Sequence, residues 1–284
     1  MRQLVQLLLL SSKSLTATLD AAYSTGRVSW SFRSPLIAPS AGYRAVMTVE
    51  SAAIPRSWYV INSYNNTFTF TSAPGSGPIT ITPGNYNATQ LSLALQTAVR
   101  ALAGGLSGFT CTYDSVTNKL QMTLAVAFTI SDVNTATARW LGFARGVTSL
   151  AASFSPGPVL YVLSPPQVLD LSYTKTLRIV SNIHSMTVAQ QGNEQQDSVR
   201  GTIAVLNVSV APQGIILYRP QVPDEHILAR NTVEGLTFTL ADDDGNVINM
   251  NGGDYELLVQ VRFEVGETDA APSALTLAAG SFVN

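Results

Sequence analysis

The sequence is short of charge. Of its 284 residues, 16 are Lys or Arg and 18 are Asp or Glu, 12% of the chain against about 25% in ordinary soluble domains. Only Lys13, Lys119 and Lys175 are lysines, and lysine is depleted from buried interfaces where arginine is accepted. A monomer built this way would be sparingly soluble, so the composition points to a subunit buried in an assembly. The thin, scattered basic complement argues against a dedicated nucleic-acid binder, which clusters Lys and Arg on one face. One cysteine, Cys111, excludes an intramolecular disulfide and a cysteine-based zinc site. It sits in the alternating run 109–113 (FTCTY), where it reads as a small core residue. The two histidines, His184 and His226, are far apart and neither has a partner at metal-ligand spacing. No stretch reaches 18 consecutive apolar residues, so no transmembrane helix is expected.

What the chain does contain is a core. Its 46% hydrophobic content excludes intrinsic disorder, and the length suits one large β domain or two small ones. Surface polarity comes from 28 Ser and 28 Thr rather than from charge. The few charges are also unevenly placed: residues 1–60 hold six basic and two acidic groups, residues 61–220 eight and five, and residues 221–284 two and eleven. Such opposite ends either lie side by side or face neighbouring copies.

Residues 1–10 (MRQLVQLLLL) mimic the charged start and apolar stretch of a signal peptide. The run is at the short limit and no small-x-small cleavage site follows at once. The expectation is an N-terminal arm, residues 1–19, that docks on a neighbour.

Short β-branched or alternating runs recur along the chain, among them 28–32, 43–50, 57–61, 67–71, 79–82, 108–113, 119–124, 198–210, 232–240 and 255–265, punctuated by Gly, Pro, Asn and Asp. That spacing argues for a β-sandwich and against a parallel α/β sheet. One helix is clear from residues 88 to 103, with Leu91, Ala94, Leu95, Ala98 and Leu102 at helical spacing, Asn87 as N-cap and Gly104 and Gly105 as the stop. A shorter one, 135–141, ends at Gly142. Residues 63–158 therefore read as an inserted small α+β domain whose exit is marked by the Pro-rich segments 155–158 and 164–166. The remaining blocks, 20–62 and 159–268, supply about eight strands, the count of a single jelly roll, followed by a C-terminal tail, 269–284. In that topology the basic first block lies beside the acidic last one. The local pattern at the end reads as a hairpin, with 236–240 (LTFTL) alternating into the Asp-Gly turn at 242–246 and a second alternating run over 257–265.

Chemistry is harder to find. Counted from Asp242, Asp244 and Asn246 fit an EF-hand loop, but Val247 stands where Gly is required and Gly253 where the bidentate Glu belongs; Gly245 suits a turn, and the Asp242 to Asp244 stretch reads as solvated rather than as a calcium site. No Ser-x-x-Lys or Gly-x-Ser-x-Gly motif occurs, and the Gly-rich stretches 75–77 and 104–105 lack the lysine and context of a phosphate loop. A Cys111 dyad with His184 or His226 has no supporting pattern, and nothing selects a carboxylate pair for glycoside hydrolysis. Sequons at Asn65, Asn87 and Asn207 are as many as chance supplies in so Asn-, Ser- and Thr-rich a chain. Trp30, Trp58 and Trp140 read as core or interface residues. No catalytic residue, cofactor or metal is expected.

The segments 65–70 (NNTFTF), 79–91 (ITITPGNYNATQL), 109–120 (FTCTYDSVTNKL) and 141–143 (LGF) resemble, in order and spacing, an insert of minor capsid proteins from polinton-like viruses, virophages and related eukaryotic double-stranded DNA viruses. Residues 236–255 (LTFTLADDDGNVINMNGGDY) are similar to the ending of the same proteins. The resemblance covers residues 60–145 and 170–265. It implies a structural virion protein, not an enzyme: a single jelly roll with an α+β insert, acting as the penton at five-fold vertices or as another minor or cement subunit. Implied partners are further copies of itself in a homopentamer, the major capsid protein and other minor subunits, and the implied location is the virion, assembled inside the host cell. Expected contact segments are 1–20, 155–166, 189–197 and 270–284. The rival reading is a receptor- or carbohydrate-binding β-sandwich of a viral spike, with Tyr64, Asn65 and Tyr86 on the insert's loops.

Overall fold

The computed structural model describes residues 4–14, 16–20, 24–39, 42–102, 104, 106–157, 159–172, 174–182, 201–228 and 232–265. The expected contact segments 189–197 and 270–284, the tail 269–284 and His184 lie outside the described residues. In chain order the elements are β1 (Leu4–Ser11), β2 (Ala17–Asp20), β3 (Ser24–Ile37), β4 (Tyr43–Pro55), β5 (Thr67–Ser72), β6 (Ser76–Thr80), α1 (Ala88–Arg100), β7 (Thr110–Asp114), β8 (Lys119–Leu124), β9 (Phe128–Ser131) and α2 (Thr135–Leu141). They continue with β10 (Leu150–Ala151), β11 (Ser153–Ser155), β12 (Leu160–Leu163), β13 (Thr176–Ser181), β14 (Thr202–Asn207), β15 (Ile215–Tyr218), β16 (His226–Ile227), β17 (Thr232–Ala241) and β18 (Glu256–Val265). Contacts divide the chain into two compact units, one of residues 1–55, 177–206 and 215–284, the other of 56–176 and 207–214.

The first unit is a single jelly roll. One sheet has the order β1-β18-β4-β15, with β16 also on β4, and the other the order β14-β13-β17-β3-β2. Apart from β13 and β14, which share a sheet, successive segments cross between the sheets, so that counting β2 with β3 and β15 with β16 gives eight positions in two four-position sheets, the arrangement of paired Greek keys. Alternation supplies the core: Val28 and Trp30 of β3, Leu236, Phe238 and Leu240 of β17 and Leu257, Val259, Val261 and Phe263 of β18 are all buried. Trp30 packs edge-on to Tyr255 with ring centroids 6.4 Å apart, and its indole N–H donates to the Ser11 carbonyl at 3.1 Å. At Gly235 the β3–β17 register shifts, and a Cβ there would stand 2.5 Å from the Trp30 carbonyl oxygen, so only glycine lets the strands approach at this bulge.

Several expectations change. Residues 4–11 are not an arm: β1 pairs with β18 along its whole length, Leu4 opposite Phe263 to Ser11 opposite Glu256, and residues 17–20 form β2 at the edge of the other sheet. An apolar segment reads as an arm only until its partner, at the far end of the chain, is known. The expected closing hairpin is not one either. The turn is present, with Asp242 accepting from the backbone N–H of Asp244 and Asn246, but β17 pairs with β3 and β13 while β18 pairs with β1 and β4, in the other sheet. The charge asymmetry acquires contacts: Arg44 of β4 meets Glu264 of β18 at 2.7 Å, and Lys13 meets Asp254 at 3.7 Å.

The second unit contains two four-stranded sheets, β10-β9-β5-β6 and β11-β12-β8-β7, with both helices. Helix α1 starts at a complete capping box: Asn87 accepts from the Gln90 N–H while the Gln90 side chain accepts from the Asn87 N–H. It ends three residues short of the expected 103, capped at Ala101. Its buried face, Leu91, Leu95 and Val99, joins a core holding Phe70, Phe109 and Phe128 with centroids 5.4 to 5.8 Å apart. Helix α2 ends at Gly142, whose φ of 76° is left-handed. The Pro-rich exit expected at 155–158 is not one: β11 and β12, on either side of it, pair with each other, and β12 pairs with β8, which places residues 160–163 in this unit rather than in the jelly roll. Residues 57–61 form no strand: asparagine side chains take both backbone groups of Val60, whose N–H donates to Asn85 and whose carbonyl accepts from Asn65, and Ile61 makes only an isolated bridge to Gly84.

Candidate assembly surface

Strand β1 closes its sheet with an open edge among the described strands. Natural edges are blunted by lysine, proline, bulges or brevity. The eight residues LVQLLLLS of β1 have no charge and no proline, and their register with β18 runs without a shift. The opposite arrangement is seen in the other sheet, where the edge strand β2 has four residues, a register shift at Asp20 and an ion pair from Asp20 to Arg27 at 3.5 Å.

Alternation turns Leu10 inward, 5% exposed, and leaves Val5, Leu7 and Leu9 outward at 48, 58 and 68%. The apolar stripe continues across the sheet. Leu9 stands opposite Leu258, and on the far side Leu217 of β15 stands opposite Ala53 of β4 with 79% of its surface exposed. Leu7, Leu9, Ala53, Leu217 and Leu258 line a shallow groove of about 690 Å3 with Glu50, Arg219 and Glu256 among its polar residues. Exposed apolar surface of this kind makes the face a candidate interaction surface. No single motif announces it. The signal was the unusual run of leucines at both parities of residues 4–10, which gives a strand two apolar faces where an ordinary sandwich strand has one.

The residues singled out from sequence are dispersed. Tyr64 is exposed. Asn65 is fully buried and structural: its side chain bridges Asn62 N–H and the Val60 carbonyl, while its own carbonyl accepts from Trp140 Nε1 at 2.8 Å and Thr137 Oγ1 at 3.0 Å. It is therefore removed from any display surface on the insert, and from glycosylation. Tyr86 donates its hydroxyl to the Thr82 carbonyl and lines a cavity that does not include Tyr64. Cys111 is buried, and burial pushes its thiol up to about 12, a protonated group with no nucleophilic character. His226 Nε2 lies 2.9 Å from the Ile203 carbonyl, which requires that nitrogen to carry the proton. Asp242 is 4% exposed, its carboxylate occupied by the turn and by Asn246 Nδ2 at 3.2 Å. Trp30, Trp58 and Trp140 are all buried. Among the described residues no group of three or more His, Cys, Asp or Glu side chains could hold a metal ion, and no helix is long and apolar enough to cross a membrane.

No family profile and no curated protein matches the chain. Among solved structures it is similar to the crystal structure of the mavirus penton protein, at 11% identity and a TM-score of 0.48, with 92% of this chain and 100% of that one covered.

Proposed function

We propose that the chain is a structural subunit of a viral capsid, a penton-like protein that assembles with copies of itself through the jelly-roll unit. The observation that carries this reading is the open β1 edge and its apolar stripe, set on a single jelly roll whose chain is interrupted between β4 and β13. An edge so poorly defended invites pairing or aggregation in a free monomer, and becomes useful only when a neighbour covers it. The shortage of charge and of lysine supports the same reading. Five-fold association in the vertex of a virion, beside major capsid and other minor subunits, is supported by the resemblance of the insert and ending motifs to minor capsid proteins.

Native mass spectrometry of the purified chain provides the test. A pentamer is the expected result, and Leu9→Lys is expected to return it to monomers with unchanged circular dichroism, since Leu9 faces outward and its loss leaves the core intact. A wild-type protein that stays monomeric at high concentration would overturn the assembly reading. A trimer would favour the spike alternative.

A further inference from the structure

The second unit carries a cavity of about 590 Å3, within the range of small-molecule sites. Its lining includes Arg56, Asn85, Tyr86, Ser172, Thr174 and Lys175, and no Asp or Glu is among the residues that line it. Two of its donors are buried and unused. Thr174 is 3% exposed, and neither its Oγ1 nor Arg56 Nε has a hydrogen-bond partner among the described residues. Native structures leave few such groups unpaired, and each requires a reason.

Arg56 is held in place. Its backbone N–H donates to the Gly214 carbonyl and its carbonyl accepts from Gln213, each at 2.8 Å. One arm of the guanidinium is spent on the Val210 carbonyl, Nη1 to oxygen 2.6 Å, which fixes the plane and leaves the Nε edge. The charge is not cancelled nearby by design: the carboxylate Asp170 is engaged by Lys175 at 3.8 Å and by the Ser172 backbone N–H at 2.9 Å, so Arg56, Lys175 and Asp170 together sum to one positive charge. A fixed cation edge and an idle hydroxyl on residues that line one cavity suit an oxyanion. The volume exceeds what a bare ion fills, and the neighbouring Asn85 amide and Tyr86 ring suit a polyhydroxylated body.

We propose that this cavity binds an acidic carbohydrate, with Arg56 Nε and Thr174 Oγ1 donating to its carboxylate or sulfate group. Its lining residues all come from one chain, so it can be tested apart from the assembly reading.

Calorimetric titration of the full chain with sialyllactose, a sulfated heparin disaccharide, neutral lactose and sodium sulfate tests it. At least one acidic sugar is expected to bind roughly ten-fold or more tightly than lactose, in line with a charge-assisted hydrogen bond. Arg56→Gln should abolish that preference. Because Arg56 also braces Val210, Thr174→Val is the cleaner variant: it should weaken the acidic sugar roughly five-fold, the value of one hydrogen bond, while leaving the melting temperature unchanged or higher, since the hydroxyl it removes bonds to nothing in the protein. A purely structural Thr174 would instead lower the melting temperature and leave the titration unmoved. Equal binding of lactose and the acidic sugars, or no binding of either acidic sugar, would overturn the proposal. Sodium sulfate binding as tightly as the sulfated disaccharide would overturn the carbohydrate assignment and leave a site for the free ion.

Discussion

The two units solve the same problem, burying one face of each antiparallel sheet, by opposite routes. In the jelly roll the longest pairings are distant in sequence: β4 lies beside β18, and β3 beside β17. In the second unit most pairings are neighbours, β5 with β6, β7 with β8 and β11 with β12, and two capped helices complete the core. Local pairing is specified by turn chemistry and closes short loops, whereas distant pairing must be specified by the faces of the strands alone and waits for long loops to close. The second unit should therefore form first and independently, and the jelly roll later.

The largest effect that could break this contrast comes from each core. Trp140→Ala removes a buried indole and its bond to Asn65, and Phe238→Ala an equally buried ring of the jelly roll; each should cost about 3–5 kcal/mol. Hydrogen exchange should place the loss from Trp140→Ala in residues 56–176 and that from Phe238→Ala in β3, β13 and β17. Loss of protection throughout the chain in both variants would show that the units are not separate in stability. Next is Gly142→Ala. The left-handed φ of 76° and a Cβ 2.6 Å from the Gln167 carbonyl oxygen predict a loss of about 1–3 kcal/mol, measured by urea unfolding of the second unit; a neutral result would mean that α2 can end elsewhere.

Alkaline titration separates the units more finely. Cys111 in the second unit is raised by burial from 9.0 to about 12, and Tyr255 of the jelly roll is raised by burial above its ordinary 10.0. A raised folded value gives stability that is whole below the unfolded value and is lost as pH climbs towards the folded one. The second unit should thus begin to weaken near pH 9, by about 1.4 kcal/mol per pH unit, and the jelly roll only from about pH 10. Exchange rates followed from neutral pH upward would show the two onsets, and Cys111→Ala should flatten the first. Identical onsets would sink the assignment. The smallest effect is expected from Arg44→Ala, which breaks a partly exposed ion pair with Glu264 and should cost at most about 1 kcal/mol, less at high salt; a larger loss would mean that the joined charges of the two chain ends do more than accompany strand pairing.

The same contrast governs what could be read in advance. Helix α1 was legible because Asn87, Gln90 and the spacing of Leu91 and Leu95 lie within one window, and α2 because Gly142 stops it. In the jelly roll the alternation of β17 and the Asp242 turn were visible, yet nothing local says that the strand after the turn crosses to the other sheet. Residues 4–11 lacked any sign of their partner for the same reason. The cavity was invisible because Arg56 and Thr174, which both line it, stand 118 residues apart in sequence; neither sits in a motif.

Between β1 and the strand that covers its inner edge lies nearly the whole chain, from Ser11 to Glu256. At a synthesis rate of about 5–20 residues per second, the leucine-rich first strand spends roughly ten to fifty seconds of every translation cycle with both edges bare. In a cell making many copies at once, the yield of this protein should be limited by chaperone capacity on the polysome rather than by the stability of the finished fold.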